Sequence, residues 1–339
     1  MKSFFKTFFA ALLALIIFSL LGFFILIGIA AAFSTDEKVA VAQNSVLVID
    51  ASETFLEQSK NDPFSELMNK KNGKQPSLSE LIGLLNYAKK DSSIKGIYIK
   101  CAENPNGYAA TEEIRKALID FKKSNKFIVA YAETISQKGY MMANVADQIY
   151  THPQGGMEWS GFNYETMFLK GLIDKLEIEP QIFYAGKFKS ATEPFRYAQM
   201  SEANKLQTGI WLNSIYNNFI QGAAEMRNLN ADSIKAFANE GKVQNAKDAL
   251  KYKLVDGLIY DDQLKKIISK KLRLVDETKI SFVSINNYGE SVALRGTGSG
   301  KIAVIYADGD VVMGKGQNDA IASDDYRALI QKIRNDKSI

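Results

Sequence analysis

Apolar and polar positions fall into blocks along the chain, and the period of the blocks changes in a regular order. Val46-Leu47-Val48-Ile49 is a short continuous apolar run, the pattern of a strand covered on both faces. Leu81, Leu84, Leu85 and Ala88 then recur at helical spacing, with Ser77 or Ser79 placed to cap the helix. Ile94 to Ile99 predicts a second buried strand, Asn104-Pro105-Asn106-Gly107 a turn, and Ala109 to Lys123 an amphipathic helix. Phe127 to Ala132 predicts a third strand and Tyr140 to Val145 a third helix. This alternation argues for an α/β domain with a mostly parallel core. Further on, Ser201 to Ala238 reads as mostly helical. Val243 to Gly257 reads as a helix running into Leu254-Val255-Asp256-Gly257.

Three stretches break the pattern. Phe8 to Phe33 carries no charged residue; as a helix it reaches about 39 Å, enough for a hydrocarbon core of about 30 Å with some tilt. Lys2 and Lys6 precede it and Asp36 and Glu37 come after, so the amino terminus is expected in the cytoplasm and everything after Ser34 outside. Ala30-Ala31-Ala32 offers a cleavage site, but signal h-regions run about 7–15 residues, and this length favours an uncleaved anchor. Asn61 to Ser77 is polar and reads as a loop. Residues 274–300, ending in Gly296-Thr297-Gly298-Ser299-Gly300, have the composition of a linker.

Beyond that linker the start of the domain is repeated. Lys301-Ile302-Ala303-Val304-Ile305 answers Ser45 to Ile49, and Asp325 to Ile339 answers Glu80 to Ile94, including Asp336-Lys337-Ser338-Ile339 against Asp91-Ser92-Ser93-Ile94. This is an internal duplication. Its second copy stops where the next strand should begin, so the chain is expected to be a fragment of a longer protein. The expected division is a tip and anchor at 1–34, a linker at 35–44, a first repeat at 45–273, a linker at 274–300 and an incomplete second repeat at 301–339.

Composition narrows the chemistry. The 339 residues include 46% hydrophobic and 24% charged positions, and the formal charge of +4 is spread along the chain without a basic block, so nucleic acid is not an expected partner. One cysteine, Cys101, and one histidine, His152, exclude an intrachain disulfide and leave little for a zinc site. His152 stands beside Pro153 in a turn-like context, which argues against a catalytic triad built on it. Acid–base chemistry near neutral pH therefore falls to lysine or a carboxylate.

One segment offers such a lysine. The front of Phe183-Tyr184-Ala185-Gly186-Lys187-Phe188-Lys189-Ser190-Ala191-Thr192-Glu193-Pro194-Phe195 alternates as a half-buried strand does, with Lys187 and Lys189 on one face. A lysine among Phe183, Phe188 and Phe195 would lose solvation and become a base. Two solvated lysines beside a turn is the other reading of the same residues.

The lysine segment, the duplication and the anchor together resemble the signal peptide peptidases of the SppA type (protease IV), in their long duplicated form. Gly186 to Phe195 is similar to the family's G-x-[YF]-K-S-A-x-E-P-F. Gly171-Leu172-Ile173-Asp174-Lys175-Leu176 and Ala146-Asp147-Gln148-Ile149-Tyr150 with Pro153-Gln154-Gly155 also match. The resemblance implies a ClpP/crotonase-like fold and a single-pass protein of the cell inner (cytoplasmic) membrane, its bulk on the extracytoplasmic side. It also implies a serine peptidase that degrades cleaved signal peptides through a Ser/Lys dyad, without metal or organic cofactor, and that assembles into a homo-oligomer. By the same resemblance Lys189 is the general base and Lys187 is not. Ile135-Ser136-Gln137-Lys138-Gly139-Tyr140 departs from the family's serine segment: Gln137 holds the nucleophile position and Ser136 is one place off. Asn104-Pro105-Asn106-Gly107 stands where active copies carry S-P-G-G. The serine is therefore expected outside this chain. A non-catalytic, membrane-tethered scaffold that binds peptides or partner subunits is the competing expectation.

Overall fold

A computed structural model describes residues 2–32, 41–58, 75–292, 301–316 and 320–339. The expected loop at 61–77 falls outside them as far as residue 74. The expected linkers do so over 35–40 and 293–300.

The amino-terminal unit is one helix, Lys2–Ala32. Its Phe4–Ile25 stretch has a mean hydropathy of 2.8. Among the described residues it is the one helix long and apolar enough to cross a membrane, which fits a single-pass protein.

The second unit is built on a six-stranded sheet in the order β5-β4-β3-β2-β1-β6, every neighbouring pair parallel. The strands are β1 Ser45–Asp50, β2 Ile94–Lys100, β3 Phe127–Ile135, β4 Gln148–Met157, β5 Gly257–Leu258 and β6 Phe282–Ser284. Parallel strands need crossovers, and helices supply them: Leu78–Lys90, Tyr108–Lys122 and Gln137–Ala143 join β1 to β4 in turn. Leu47, Ile49, Ile97, Ile99, Ile128, Ala130 and Ile149 point to these helices and meet Leu81, Leu85, Ile114, Leu118 and Tyr140. Val46, Val129, Tyr131 and Tyr150 face the other way, onto Leu264 and Ile268 of the Asp261–Leu272 helix. Both faces of the sheet are thus covered, as the continuous apolar runs predict. Each fully buried Leu or Ile stabilises this arrangement by roughly 1.5–3 kcal/mol.

Local signals set the helix starts. Ser77, not Ser79, closes a capping box: its hydroxyl accepts from Glu80 N at 3.3 Å, and Ser77 N donates to the Glu80 carboxylate at 2.7 Å. The stretch Ser201–Ala238, expected to be mostly helical, forms two helices, Glu202–Arg227 and Ala231–Asn239, parted where Asn228 turns left-handed at φ +52°. The expected helix from Val243 shrinks to Ala246–Lys251.

The stretch that composition marks as a linker holds structure. Phe282–Ser284 pairs with β1 as the sheet's edge, and Ile285–Ser291 is helical. Tyr288 of that helix is buried and its hydroxyl donates to Asp91 at 2.9 Å. Lys301 to Ile305, which answers β1 in sequence, forms no strand; Ile302 is 91% exposed. β1 is held by β2 and β6 on its two sides, and no such neighbours flank 301–305 among the described residues. Further on, β7 Asp310–Val312 pairs with β8 Ala320–Ala322, and the Ser323–Asn335 helix comes next. That helix ends as Leu78–Lys90 does. Asp336 accepts from Ser338 N at 2.9 Å, and Asp91 accepts from Ser93 N at 2.8 Å.

Candidate active site

The carboxyl ends of parallel strands gather the loops that a site can use, and here asparagines tie three of them together. Asn104, buried after β2, donates to the Thr111 hydroxyl at 3.0 Å and to the Lys138 carbonyl at 3.2 Å. Its side-chain oxygen accepts from Asn106 N and Nδ2 at 3.0 and 2.9 Å. Asn106 in turn accepts from Phe55 N at 2.7 Å and donates to the Glu53 carbonyl at 2.9 Å. The loop after β1, the turn after β2 and the helix after β3 form one hydrogen-bonded unit. Both asparagine side chains are spent on holding it.

The helix after β3 begins with Ser136 as its cap, the hydroxyl accepting from Gly139 N at 3.0 Å. Gly139 is required there, since a Cβ would overlap the carbonyls of Cys101 and Ala102. Gln137, 7% exposed, does not face solvent. Its amide donates to the Gly161 carbonyl at 2.8 Å and accepts from Gly161 N at 3.0 Å. Gly161 has φ +83°, a conformation glycine adopts without strain. Gln137 thus clasps the backbone that leaves β4. His152, expected in a turn, lies inside β4 where the pairing register shifts, its Nδ1 accepting from Gln154 N at 3.1 Å.

The lysine segment differs from its expectation. Residues 183–189 form no strand. Gly186 turns at φ +99°, and Lys189 N donates back to the Gly186 carbonyl at 3.3 Å. Phe183 is 92% exposed, and Phe188, Phe195, Lys187 and Lys189 are exposed too, so no apolar pocket encloses either lysine. The alternation fails because a glycine with positive φ breaks the extended backbone and no neighbouring strand holds it. No hydrogen bond or ion pair reaches Lys189 Nζ among the described residues. Among the described residues no hydrogen bond joins the expected Lys189 to Ser136, whose hydroxyl accepts from Gly139 N.

The buried group of this arm is Glu193, 3% exposed. Its carboxylate accepts from Ser201 N at 3.1 Å, Ser201 Oγ at 2.6 Å and Asn204 Nδ2 at 2.9 Å. Burial pushes the carboxyl up, and the bonds from Ser201 and Asn204 outweigh it, so its pKa lies below the usual carboxylate range. Arg196 stacks on Tyr184 at 3.7 Å and donates to Thr192 at 3.1 Å. The turn carrying Lys189 is thereby tied to the start of the Glu202–Arg227 helix. Sequence reasoning counted Glu193 as one letter of a motif and missed this role. Its signal was a Glu eight residues ahead of Ser201, a helix-capping serine.

Comparisons with known proteins agree on this region. Residues 120–279 match the model of peptidase family S49, a span that includes both Gln137 and the lysine segment. The chain is 28% identical to Protease 4 of Haemophilus influenzae, covering 94% of this chain and 55% of that protein. It is 29% identical to the chloroplastic serine protease SPPA of Arabidopsis thaliana, over 77% of this chain and 38% of that one. A further match is Protease 4 of Salmonella typhi, 28% identical over 78% and 44%. The chain spans about half the length, or less, of these curated relatives. Among solved structures, the 1510-N membrane-bound stomatin-specific protease aligns with a TM-score of 0.38 at 14% identity, over 72% of this chain and 98% of that one. An enoyl-CoA hydratase/isomerase from Marinobacter aquaeolei aligns at 0.35 and 12%, over 63% and 71%.

Proposed function

As the chain belongs to the SppA-type peptidases of family S49, we propose that it supplies the general-base lysine of a membrane-anchored serine endopeptidase that degrades cleaved signal peptides. The observation that carries the proposal is the segment Gly186–Phe195, which lies inside the matched residues and holds Lys189 on a turn anchored by Glu193. The nucleophilic serine comes from a second copy of the fold, because Ser136 is engaged as a helix cap and Gln137 is engaged with Gly161. That copy also supplies the apolar cover over Phe183 and Phe188 under which Lys189 gives up its proton.

In the proposed reaction neutral Lys189 Nζ takes the serine proton as Oγ attacks the peptide carbonyl. Backbone amides hold the oxyanion, and the lysine ammonium then protonates the leaving amine. Water, deprotonated by the neutral lysine, attacks the acyl carbon, and the ammonium returns that proton to the serine Oγ as the acid product leaves. No metal or organic cofactor enters this chemistry. The domain lies outside the cytoplasmic membrane and assembles as a homo-oligomer.

The clasp at Gln137 favours a second reading, a tethered scaffold that binds peptides without cutting them. One experiment separates the two. In the full-length protein Lys189→Ala abolishes cleavage of an apolar signal-peptide substrate while the fold persists, and Lys187→Ala keeps most activity. Loss with Lys187→Ala alone overturns the assignment, and the absence of cleavage by the unaltered protein leaves the scaffold.

A further inference from the structure

A cavity of about 700 Å³ opens where the carboxyl ends of β1 and β2 meet the edge strand β6. Its floor is the apolar sheet surface of Val48, Tyr98 and Phe282, the two rings 6.2 Å apart, and Leu264 forms a wall. The rim is polar. Asp261 pairs with Lys265 at 2.8 Å and Asp50 with Lys100 at 3.7 Å, so these four charges compensate one another. Glu53 is the charge left over. Among the described residues its Oε2 is buried with no partner in hydrogen-bond geometry, and so is Oδ1 of Asn286, a residue 7% exposed whose side chain lies near enough to hold the Glu53 carboxyl down. Burial and Asp50 raise the Glu53 carboxyl, with Asn286 and Lys100 acting against them.

Unpaired buried acceptors are costly, and natural structures rarely leave them without a donor. Two such acceptors side by side, one of them ionisable, are satisfied by a cationic donor. A bare metal ion suits the site poorly. A third of its lining residues are apolar or aromatic, two lysines stand at its rim, and no cluster of three His, Cys, Asp or Glu side chains is placed to ligate one among the described residues. We propose that this cavity binds an organic ammonium carrying an apolar tail. The ammonium donates to Glu53 and Asn286, reached by a turn of the Glu53 side chain, and the tail lies over Tyr98 and Phe282. None of the lining residues belongs to 136–140 or 183–195, so the site does not depend on the peptidase reading.

The test titrates the full chain in lipid nanodiscs with n-butylamine, butan-1-ol, Leu-Leu amide and N-acetyl-Leu-Leu amide, monitored by calorimetry. The two amines bind saturably, and their neutral counterparts bind at least about tenfold more weakly, the loss expected when a charge-assisted hydrogen bond is removed. Glu53→Gln brings the amines to the level of the neutral compounds. Equal affinity for both amines assigns a bare ammonium site, and tighter binding of Leu-Leu amide assigns a free peptide amino terminus. Neutral compounds binding as tightly, or Glu53→Gln leaving amine affinity unchanged, overturns the proposal. So does the absence of amine binding, with the Glu53 carboxyl carbon showing a protonated acid that donates to Asn286 instead. The comparison of amine with neutral compound on the unaltered chain stands even if the variant does not fold.

Discussion

Replacing Glu193 by alanine removes the acceptor of three hydrogen bonds at once and leaves Ser201 Oγ and the buried Asn204 amide without it. Hydrogen bonds to a charged group contribute about 1.5–3 kcal/mol each, but the three are coupled and water can enter the gap, so a net local loss of about 2–4 kcal/mol is expected. The arm touches the core at few points, so the loss appears as local opening and not as global unfolding. At about 1.4 kcal/mol per tenfold, amide exchange over 186–200 rises by roughly 30- to 700-fold. Glu193→Gln keeps the shape and, with its oxygen in the Oε2 place, the contacts from Ser201 N and Asn204 Nδ2, while its NH₂ replaces Oε1 beside Ser201 Oγ and the charge is lost; it falls between the native protein and alanine. The pH dependence has a fixed sign. A carboxyl whose folded pKa lies below its unfolded value of about 4.3 contributes stability above that value and loses it as pH falls through the folded one. Acid therefore opens the native arm, and the glutamine variant does not share that response. The assay is hydrogen–deuterium exchange on the full chain, resolved to peptides over 185–205. Unchanged exchange in Glu193→Ala, or an increase spread equally over β1 to β4, refutes the reasoning.

Gln137→Ala exposes the Gly161 amide to exchange and costs about 1–2 kcal/mol, because a partly buried donor and a partly buried acceptor both lose their partner; peptides over 158–164 report it. Gly139→Ala overlaps the Cys101 and Ala102 carbonyls and costs at least about 1–3 kcal/mol of global stability, read as a lower melting temperature. A melting temperature equal to the native one refutes the close approach.

The parallel core was legible because Val46 to Ile49 in β1 and Ile97-Tyr98-Ile99 in β2 are short unbroken apolar runs, a pattern that few other arrangements explain. Ser77 and Glu80 declared the start of the next helix in the same direct way. The edge strand was not legible. Phe282-Val283-Ser284 is three residues long, sits among polar neighbours and acquires its identity only by pairing with β1. At 183–188 the error ran the other way, since alternation implies a strand only where a neighbouring strand exists to hold it. The departures at Asn104, Asn106 and Gln137 were visible as letters. Their bracing role depended on distant partners. Asn106 meets Phe55 across 51 residues of chain, Asn104 meets Thr111 across 7, and Gln137 meets Gly161 across 24.

The placement of β6 beside β1 has a mechanical consequence. The two strands run parallel and adjacent, so tension entering at Ser45 and leaving at Ser284 pulls them past each other lengthwise. The rungs between them then share the load and give way together, not in succession. A chain tugged at both ends of this domain meets firm resistance at a seam only a few residues long.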